Sequence, residues 1–319
     1  MDNAWFAAFS WLCRQRRKAP PNAGVWHLWW RWLKDGPALY QQVTSGHYRL
    51  SPMRVYGRGK EAIAMWSAQD ALVLKWLALS IEHQLPQHEA CMHLRGRGVR
   101  RSLQEAAEKL KTGQYRFVHR TDIRGYYAHI RKPQIIALVN RWVTDPVHRQ
   151  LIEQYVYYSV ERGGEIHTPV CGIPRSCALS PLIGGSLLYH IDQHFREMKP
   201  EDVFYVRYMD DFLLLTRTRW QLRRGIAQLA EYLELSGFER HPEKTQTGRL
   251  ESGFDWLGLW FGPDGITPSP RALRNHHDRC LRLFEQARKR GASEEEARLR
   301  VQRYRERWVL LVINERRMI

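Results

Sequence analysis

Two adjacent aspartates, Asp210 and Asp211, interrupt an apolar stretch of the chain that reads FYVRYMDDFLLLT. The residues on both sides are β-prone and too hydrophobic for an ordinary surface hairpin, so we expect two buried strands joined by a tight turn at the acidic pair. Two carboxylates this near to each other repel, and each raises the pKa of the other unless a cation neutralises them. An exposed turn is the common setting of a lone Asp-Asp pair, but the apolar flanks favour a metal site here.

The charge of the whole chain indicates a nucleic-acid partner. Among 319 residues, 50 Lys and Arg stand against 33 Asp and Glu, which gives a formal net charge of +17 and a pI near 9.9. A membrane surface would also attract this charge. However, the sequence has no apolar window of about 18 residues and no signal-peptide pattern at its N-terminus, so we expect a soluble cytoplasmic protein that binds no membrane.

The cysteines predict reduced thiols, as in a cytosolic protein, rather than disulfides. They are odd in number, widely spaced and without a CxxC pair. The adjacent His276 and His277 lack the spacing at which one helix offers two zinc ligands, so no zinc site is indicated. The five cysteines are Cys13, Cys91, Cys171, Cys177 and Cys280.

Hydrophobic periodicity and breaker residues divide the first half of the chain into predicted elements. Residues 115–123 are predicted to form a strand that carries Asp122 at its carboxyl end. The other expectations are two amphipathic helices with a hinge over residues 1–45, an apolar helix over 68–85, and a basic glycine loop at 95–101 that leads into a helix beginning near Ser102.

The second half is also predicted to mix helices and strands. The tail from Pro270 is helical and basic, with 14 Lys or Arg against 7 acids between Arg271 and Ile319. We expect these helices to grip a duplex, and a solvated helix hairpin is the alternative. The remaining predicted elements are helices over 133–142, 145–161, 182–195 and 220–235, and a strand or hairpin over 254–261.

Asp122 lies 88 residues before the Asp210-Asp211 pair, and the fold could bring the three carboxylates together. Hard oxygen ligands are those that Mg²⁺ prefers, and two Mg²⁺ ions about 3.5–4 Å apart are the usual device for transferring a phosphoryl group to a hydroxyl. The sequence therefore predicts a three-carboxylate metal site.

Five segments stand in one order along the chain: RTDIRGYY, GIPRSCALSP, YMDD, HPEKT and FDWLGLWF. In these segments the chain resembles prokaryotic reverse transcriptases of the group II intron, retron and defence-associated lineages, over about residues 50–265. The resemblance implies an α+β right-hand polymerase fold with helical fingers, a palm whose antiparallel sheet carries YMDD, and a short helical thumb.

The resemblance also implies a division of the chain into parts. We expect an N-terminal helical extension at 1–48, fingers at 49–114, a palm at 115–265 with a finger-side insertion at about 131–170, and thumb helices at 266–319.

The same resemblance implies roles for particular residues. Asp122, Asp210 and Asp211 match the metal-site positions, with Mg²⁺ as the cofactor (two ions) and Mn²⁺ as an alternative ion. The main-chain oxygen of Ile123 would also face the metal. Lys244 matches the lysine that protonates pyrophosphate or neutralises its charge, although a surface lysine in a turn is the alternative for this residue.

The nucleotide-binding residues are implied in the same way. Tyr127 matches the steric gate that excludes a 2′-hydroxyl, with a core aromatic as the alternative, and Lys60 matches a basic residue on the triphosphate. The template loop departs from the usual Pro-Gln-Gly, because Pro174, Arg175 and Ser176 occupy those places. Arg175 adds charge beside the nucleotide or template, so we expect a difference in fidelity, in nucleotide preference or in template use.

The function implied is an RNA-directed DNA polymerase that makes cDNA. Its partners would be an RNA template or a structured noncoding RNA, an RNA/DNA duplex and dNTPs, with a homo-oligomer or an accessory protein as a further expectation. About 55 residues follow the primer-grip segment, which we expect to be too few for an added nuclease domain. A stand-alone enzyme of phage defence or of a retroelement fits best, and the alternatives are an RNA-binding scaffold of weak activity and a template-independent polymerase.

Overall fold

A computed structural model describes residues 1–57, 59, 62–94, 96–199 and 201–317, with the backbone alone for 310–317. The chain forms two compact units that alternate along the sequence. The first comprises Met1–Glu89 and Arg124–His190, and the second comprises Ala90–Ile123 and Ile191–Ile319. None of the helices in the described part is both long and apolar enough to cross a membrane.

The described residues form helices and short strands in both units. The helices are α1 (Asn3–Gln15), α2 (Gly24–Trp30), α3 (Trp32–Thr44), α4 (Ala68–Ile81), α5 (Gly98–Lys111), α6 (Tyr126–His129), α7 (Lys132–Trp142), α8 (Pro146–Val156), α9 (Ser180–Leu187), α10 (Tyr189–Arg196), α11 (Arg219–Leu235), α12 (Pro270–Lys289) and α13 (Glu294–Arg317). The strands are β1 (Met53–Tyr56), β2 (Ile63–Met65), β3 (Phe117–Asp122), β4 (Val160–Arg162), β5 (Glu165–His167), β6 (Val203–Tyr208), β7 (Asp211–Thr216), β8 (Gln246–Arg249), β9 (Phe254–Trp256), β10 (Leu259–Gly262) and β11 (Gly265–Pro268).

The first unit is mainly helical and carries a small sheet in the order β2-β1-β4-β5, in which only the β1–β4 pair is parallel. Its centre is α4, which is apolar on all sides and is therefore buried. The Ser67 side chain caps α4, and Asp70 in the first turn accepts a hydrogen bond from the Tyr48 hydroxyl at 2.8 Å. These contacts satisfy a carboxylate that would otherwise be costly to bury.

The second unit is built on a fully antiparallel sheet in the order β6-β7-β3-β8. Because side chains alternate along a strand, Phe204 and Val206 on β6 and Leu213 and Leu215 on β7 share one face. That face packs against α5 and the sheet β9-β10-β11 in a single core. The α+β class and the antiparallel sheet that carries YMDD are confirmed.

The opposite face of this sheet is covered by α10 and α11. Phe195 on α10 stacks on Tyr205 of β6, with ring centroids 4.8 Å apart. On α11, a Cβ added at Gly225 would lie 2.6 Å from Cδ2 of Leu214. Glycine therefore lets α11 approach β7 closely, and both faces of the sheet are buried.

The predicted strand ending at Asp122 and the predicted hairpin over 254–261 are both present. Other elements differ in their bounds. Residues 1–45 form three helices rather than two, because the helix after the hinge is interrupted at Arg31. The helix expected near Ser102 begins at Gly98, α8 ends at Val156 because the chain turns into β4, and the helix expected over 182–195 is interrupted at Leu188. All five cysteines are free thiols.

Candidate active site

Asp122 and Asp211 face each other on neighbouring strands of the second unit. Asp122 is the last residue of β3, Asp211 is the first residue of β7, and the two form a cross-strand pair. Side chains of such a pair point to the same face of the sheet. Asp122 is only 3% exposed. Two of the three predicted carboxylates are therefore brought together by strand register.

Asp210 lies in the two-residue turn that joins β6 to β7, where Tyr208 pairs with Asp211. The main-chain oxygen of Asp210 accepts a hydrogen bond from the N–H of Ile123 at 3.1 Å. This bond ties the turn to the residue that follows Asp122. The buried Ile123 also forms an isolated bridge with Arg240, and the metal-facing role of its carbonyl oxygen stays a prediction.

The residue before Asp210 has an uncommon backbone conformation. Met209 has a φ of 56°, in the left-handed region that glycine adopts most easily. Hydrogen bonds hold Met209 on both sides: its N–H donates to Nδ1 of His93 at 3.0 Å, and its carbonyl accepts from Nη1 of Arg207 at 2.7 Å. Strained backbone of this kind persists where its surroundings fix it, and it is concentrated at functional sites.

Two cationic side chains form ion pairs with Asp122 and Asp211. Nη2 of Arg120 lies 3.0 Å from a carboxylate oxygen of Asp211, and Nη1 of the same guanidinium donates to the Lys244 carbonyl at 3.0 Å. The Lys244 ammonium donates to Oδ2 of Asp122. Lys244 ends the short 3₁₀ turn Pro242–Lys244, which places its side chain over the end of β3.

Burial is the main influence on the protonation of Asp211. Its pKa is raised to about 6, chiefly because burial disfavours the ionised carboxylate. The positive charge of Arg120 opposes this shift, while the negative charges of Asp210 and Asp122 reinforce it. A carboxyl with a strongly perturbed pKa among other charged groups is typical of a functional site.

The donor atoms suit a hard divalent cation. Oδ1 of Asp122 is buried, and no hydrogen-bond donor among the described residues reaches it, so one lone-pair-bearing oxygen is available as a ligand. The side chains do not form a complete metal-binding site in this arrangement. Within the described ranges, no group of three or more His, Cys, Asp or Glu side chains is arranged to hold a metal ion. In this arrangement Lys244 and Arg120 hold two of the three carboxylates.

The other predicted site residues belong to the first unit or lie outside the described residues. The half-exposed Tyr127 is on α6, its carbonyl accepts from the N–H of Ile173 at 2.8 Å, and its ring packs beside Gly184. Arg175 is exposed, and the neighbouring Ser176 donates to the carbonyl of Ala64 at 2.7 Å. Lys60 lies outside the described residues.

Sequence reasoning did not single out Arg120, Arg207 or His93. Arg207 had a recognisable signal, because it is the one charged residue in the strand that leads to Asp210 and Asp211. The signal for Arg120 was weaker, because its strand also contains His119 and Thr121. His93 had none, since its contact with Met209 joins residues 116 positions apart.

One family model and several solved structures match parts of this chain. A family model described as reverse transcriptase (RNA-dependent DNA polymerase) matches residues 72–261, a range that includes Asp122, Asp210, Asp211 and Lys244. Among solved structures, apo telomerase from Candida tropicalis truncated from its C-terminal domain matches at 14% identity and a TM-score of 0.46, covering 63% of this chain and 45% of that chain. Apo telomerase from the same organism matches at 13% identity and a TM-score of 0.45, covering 69% and 49%.

The chain spans about half the length of these two telomerase chains. The family model, by contrast, matches more than half of the 319 residues and includes the whole carboxylate site. This chain therefore belongs to the reverse transcriptase (RNA-dependent DNA polymerase) family.

Proposed function

We propose that the protein extends a primer on an RNA template with deoxynucleotides, by a nucleotidyl transfer that uses two divalent metal ions. One observation carries the proposal: Asp122 pairs with Asp211 across β3 and β7, and Asp210 is tied to the same point through Ile123 at 3.1 Å. Three carboxylates at one end of a rigid sheet are the oxygen-ligand set that such a reaction requires.

Asp122 and Asp210 would bind the metal ions, with Asp211 beside them. Mg²⁺, or Mn²⁺ in its place, would supply activation of the 3′-hydroxyl and stabilisation of the leaving pyrophosphate. Arg120 keeps Asp211 oriented at the end of β7. Because the sheet fixes these side chains before substrate arrives, little reorganisation is needed at the moment of reaction.

Lys244 has a proposed role on the leaving group. Its ammonium now donates to Asp122, and the side chain is 29% exposed, so it can exchange this carboxylate for a pyrophosphate oxygen. There it would donate a proton or neutralise charge, as a mobile ammonium on a flexible stem is suited to do.

On the nucleotide side, we propose Tyr127 as the ring that excludes a 2′-hydroxyl and Arg175 and Lys60 as phosphate or template contacts. The net charge of +17 supports binding of RNA and of an RNA/DNA duplex. In α12 and α13 one face packs around Cys280, Leu283 and Val301, while arginines on the exposed positions suit phosphate contacts.

We also propose a biological setting, by analogy with the lineages that the chain resembles. The enzyme would act in the bacterial cytoplasm with a dedicated structured noncoding RNA, in a phage-defence or retroelement system. Sequencing the nucleic acid that co-purifies with the protein tests this setting. A single enriched noncoding RNA is the expected result, and a random sample of cellular RNA contradicts it.

Primer extension on an RNA template with dNTPs and Mg²⁺ tests the catalytic proposal. The variant Asp210→Ala/Asp211→Ala should make no product, while Asp264→Asn, which removes an exposed acid from another loop of the second unit, should match the wild type. Equal incorporation by the double variant and the wild type would refute the role of the pair. RNA binding without extension by the wild type would favour the scaffold function instead.

Template-independent addition of deoxynucleotides is a second candidate function. The loop around Arg175 favours this candidate, because an exposed guanidinium stands there in place of the usual neutral amide. In the same loop the Ser176 hydroxyl donates a hydrogen bond to the Ala64 carbonyl. Reactions with each single dNTP, with and without template, separate the two. Extension that ignores the template base supports the second candidate, whereas incorporation only of the complementary nucleotide supports the first.

A further inference from the structure

A buried ion pair lies directly beneath the YMDD turn. Asp192 on α10 and Arg207 on β6 are both fully buried, and two parallel hydrogen bonds join them: Nε to Oδ1 at 2.7 Å and Nη2 to Oδ2 at 2.5 Å. This bidentate geometry fixes the plane of the guanidinium as well as its position.

The remaining terminal nitrogen of the guanidinium reaches the turn itself. Nη1 of Arg207 donates to the carbonyl oxygen of Met209 at 2.7 Å. On the other side of the same residue, the Met209 N–H donates to Nδ1 of His93 at 3.0 Å. The segment that carries His93 is itself aligned with β6, because Met92 and Ala90 exchange backbone hydrogen bonds with Arg207 at 2.8 and 2.9 Å.

These contacts act on the one strained residue of the turn. With a φ of 56°, Met209 occupies a backbone conformation that residues with a Cβ atom rarely adopt. Its backbone angles decide where the next residue, Asp210, directs its carboxylate. A turn left free to relax would therefore move a candidate metal ligand.

We infer that Arg207, oriented by Asp192, is a positioning residue that holds the Met209 backbone and so aims the Asp210 carboxylate at its metal ion. This inference rests on the proposed function, because it assigns Asp210 a metal-binding role. It adds a residue pair that the carboxylate site depends on although neither member touches the substrate.

A purely structural role is separable from this one. Buried ion pairs contribute weakly to stability, and replacing both partners by apolar residues of similar volume is frequently neutral. Loss of only one partner would leave a buried charge and unfold the protein. Asp192 also accepts from the Tyr205 hydroxyl at 2.6 Å, so any apolar replacement should be made in a Tyr205→Phe background.

The test compares Tyr205→Phe with Tyr205→Phe/Asp192→Leu/Arg207→Met. Thermal unfolding reports folding, electron paramagnetic resonance reports Mn²⁺ binding without any need for activity, and primer extension gives kcat and KM. We expect the two variants to have similar unfolding temperatures. The triple variant should lose 10- to 100-fold in Mn²⁺ affinity and in kcat, which is the order found for outer-shell partners of metal ligands. Its KM for dNTP should stay within about 3-fold of that of Tyr205→Phe.

A rescue strengthens the design. Adding Met209→Gly to the triple variant should recover at least about 5-fold in Mn²⁺ affinity, because glycine takes a positive φ without support. Should the triple variant fail to fold, Arg207→Lys serves instead: it retains the charge opposite Asp192, but its single ammonium cannot make the fork and the Met209 contact together. For Arg207→Lys we expect the same 10- to 100-fold loss of Mn²⁺ affinity and of kcat.

The outcomes separate this inference from the proposed function. Mn²⁺ binding and extension equal to those of Tyr205→Phe would overturn the positioning role and leave the polymerase intact. Loss of Mn²⁺ affinity in the variant, in a protein whose wild type makes no DNA, would support positioning while refuting the function. A wild type that binds no Mn²⁺ would overturn both.

Discussion

Asp122 lies directly opposite Asp211 in the register of β3 and β7, so two carboxylates occupy neighbouring positions on one face of the sheet. Their repulsion is offset by different cations, since Lys244 donates to Asp122 and Arg120 to Asp211. Burial raises the pKa of Asp211 to about 6 despite the opposing charge of Arg120, and this raised pKa has a measurable consequence.

The variant Asp211→Asn should stabilise the metal-free protein at neutral and alkaline pH. The folded-state pKa of about 6 exceeds the ordinary value of 3.8, so the native state binds the proton more tightly than the unfolded chain does. Ionised Asp211 therefore destabilises the native state above pH 6, and the penalty vanishes below about pH 4. We expect a gain of about 3 kcal/mol at pH 8 and only about 1 kcal/mol at pH 4.5, with activity abolished.

Urea unfolding in EDTA at the two pH values measures this difference. Asp264→Asn, which neutralises an exposed acid, serves as the matched control. A gain of the same size at both pH values would contradict the raised pKa.

His119 should make the protein sensitive to acid. The side chain is 1% exposed, and burial together with the charge of Arg240 lowers its pKa to about 4. The unfolded chain binds a proton near pH 6.5 and the native state does not, so stability is lost as the pH falls from 6.5 towards 4. At pH 5 the loss should be about 2 kcal/mol.

Comparing urea unfolding of the wild type and His119→Gln from pH 7.5 to 5 isolates this contribution. Glutamine can still hydrogen-bond Thr247, the partner of His119 at 2.7 Å, but it does not titrate. The exposed His277→Gln should follow the wild type. Parallel pH curves for wild type and His119→Gln would show the prediction to be wrong.

Removing the ammonium of Lys244 should slow the chemical step rather than weaken substrate binding. We expect Lys244→Ala to lower kcat by about 100-fold, the usual contribution of a positioned proton donor. The KM for dNTP should change little, because the proposed role of this group is on the leaving pyrophosphate. Single-turnover extension measures this effect, and Lys111→Ala, which removes an exposed lysine of α5, provides the comparison.

The nearly unchanged KM of Lys244→Ala is part of that prediction. If Lys244→Ala raised KM and left kcat unchanged, the lysine would be a binding contact and the leaving-group role would be wrong.

Tyr127 should control the choice between deoxynucleotides and ribonucleotides. Tyr127→Val removes the ring that would meet a 2′-hydroxyl, so incorporation of rNTPs relative to dNTPs should rise by roughly 10-fold or more. Tyr127→Phe keeps the ring and should retain the discrimination. The ratio of kcat/KM for rGTP and dGTP is the measurement, and an unchanged ratio in Tyr127→Val would assign the ring to packing.

Much of this fold follows from local patterns. The apolar flanks of Asp210-Asp211 and the small residues around Gly184 each predict their own element. Boundaries were less predictable, because contacts outside the element decide them. The end of α8 at Val156 and the interruption at Leu188 accompany chain turns that periodicity within a helix does not encode.

By itself, the sequence determined the strands and the turn that present the candidate carboxylates, since these elements depend on neighbours along the chain. Only the tertiary structure decided that Asp122 pairs with Asp211, that Arg120 and Lys244 neutralise them, and that the Arg207 guanidinium supports Met209. Strand register, burial and the raised pKa of Asp211 arise from groups distant in the chain, and the energy of each depends on distance and desolvation rather than on spacing in sequence.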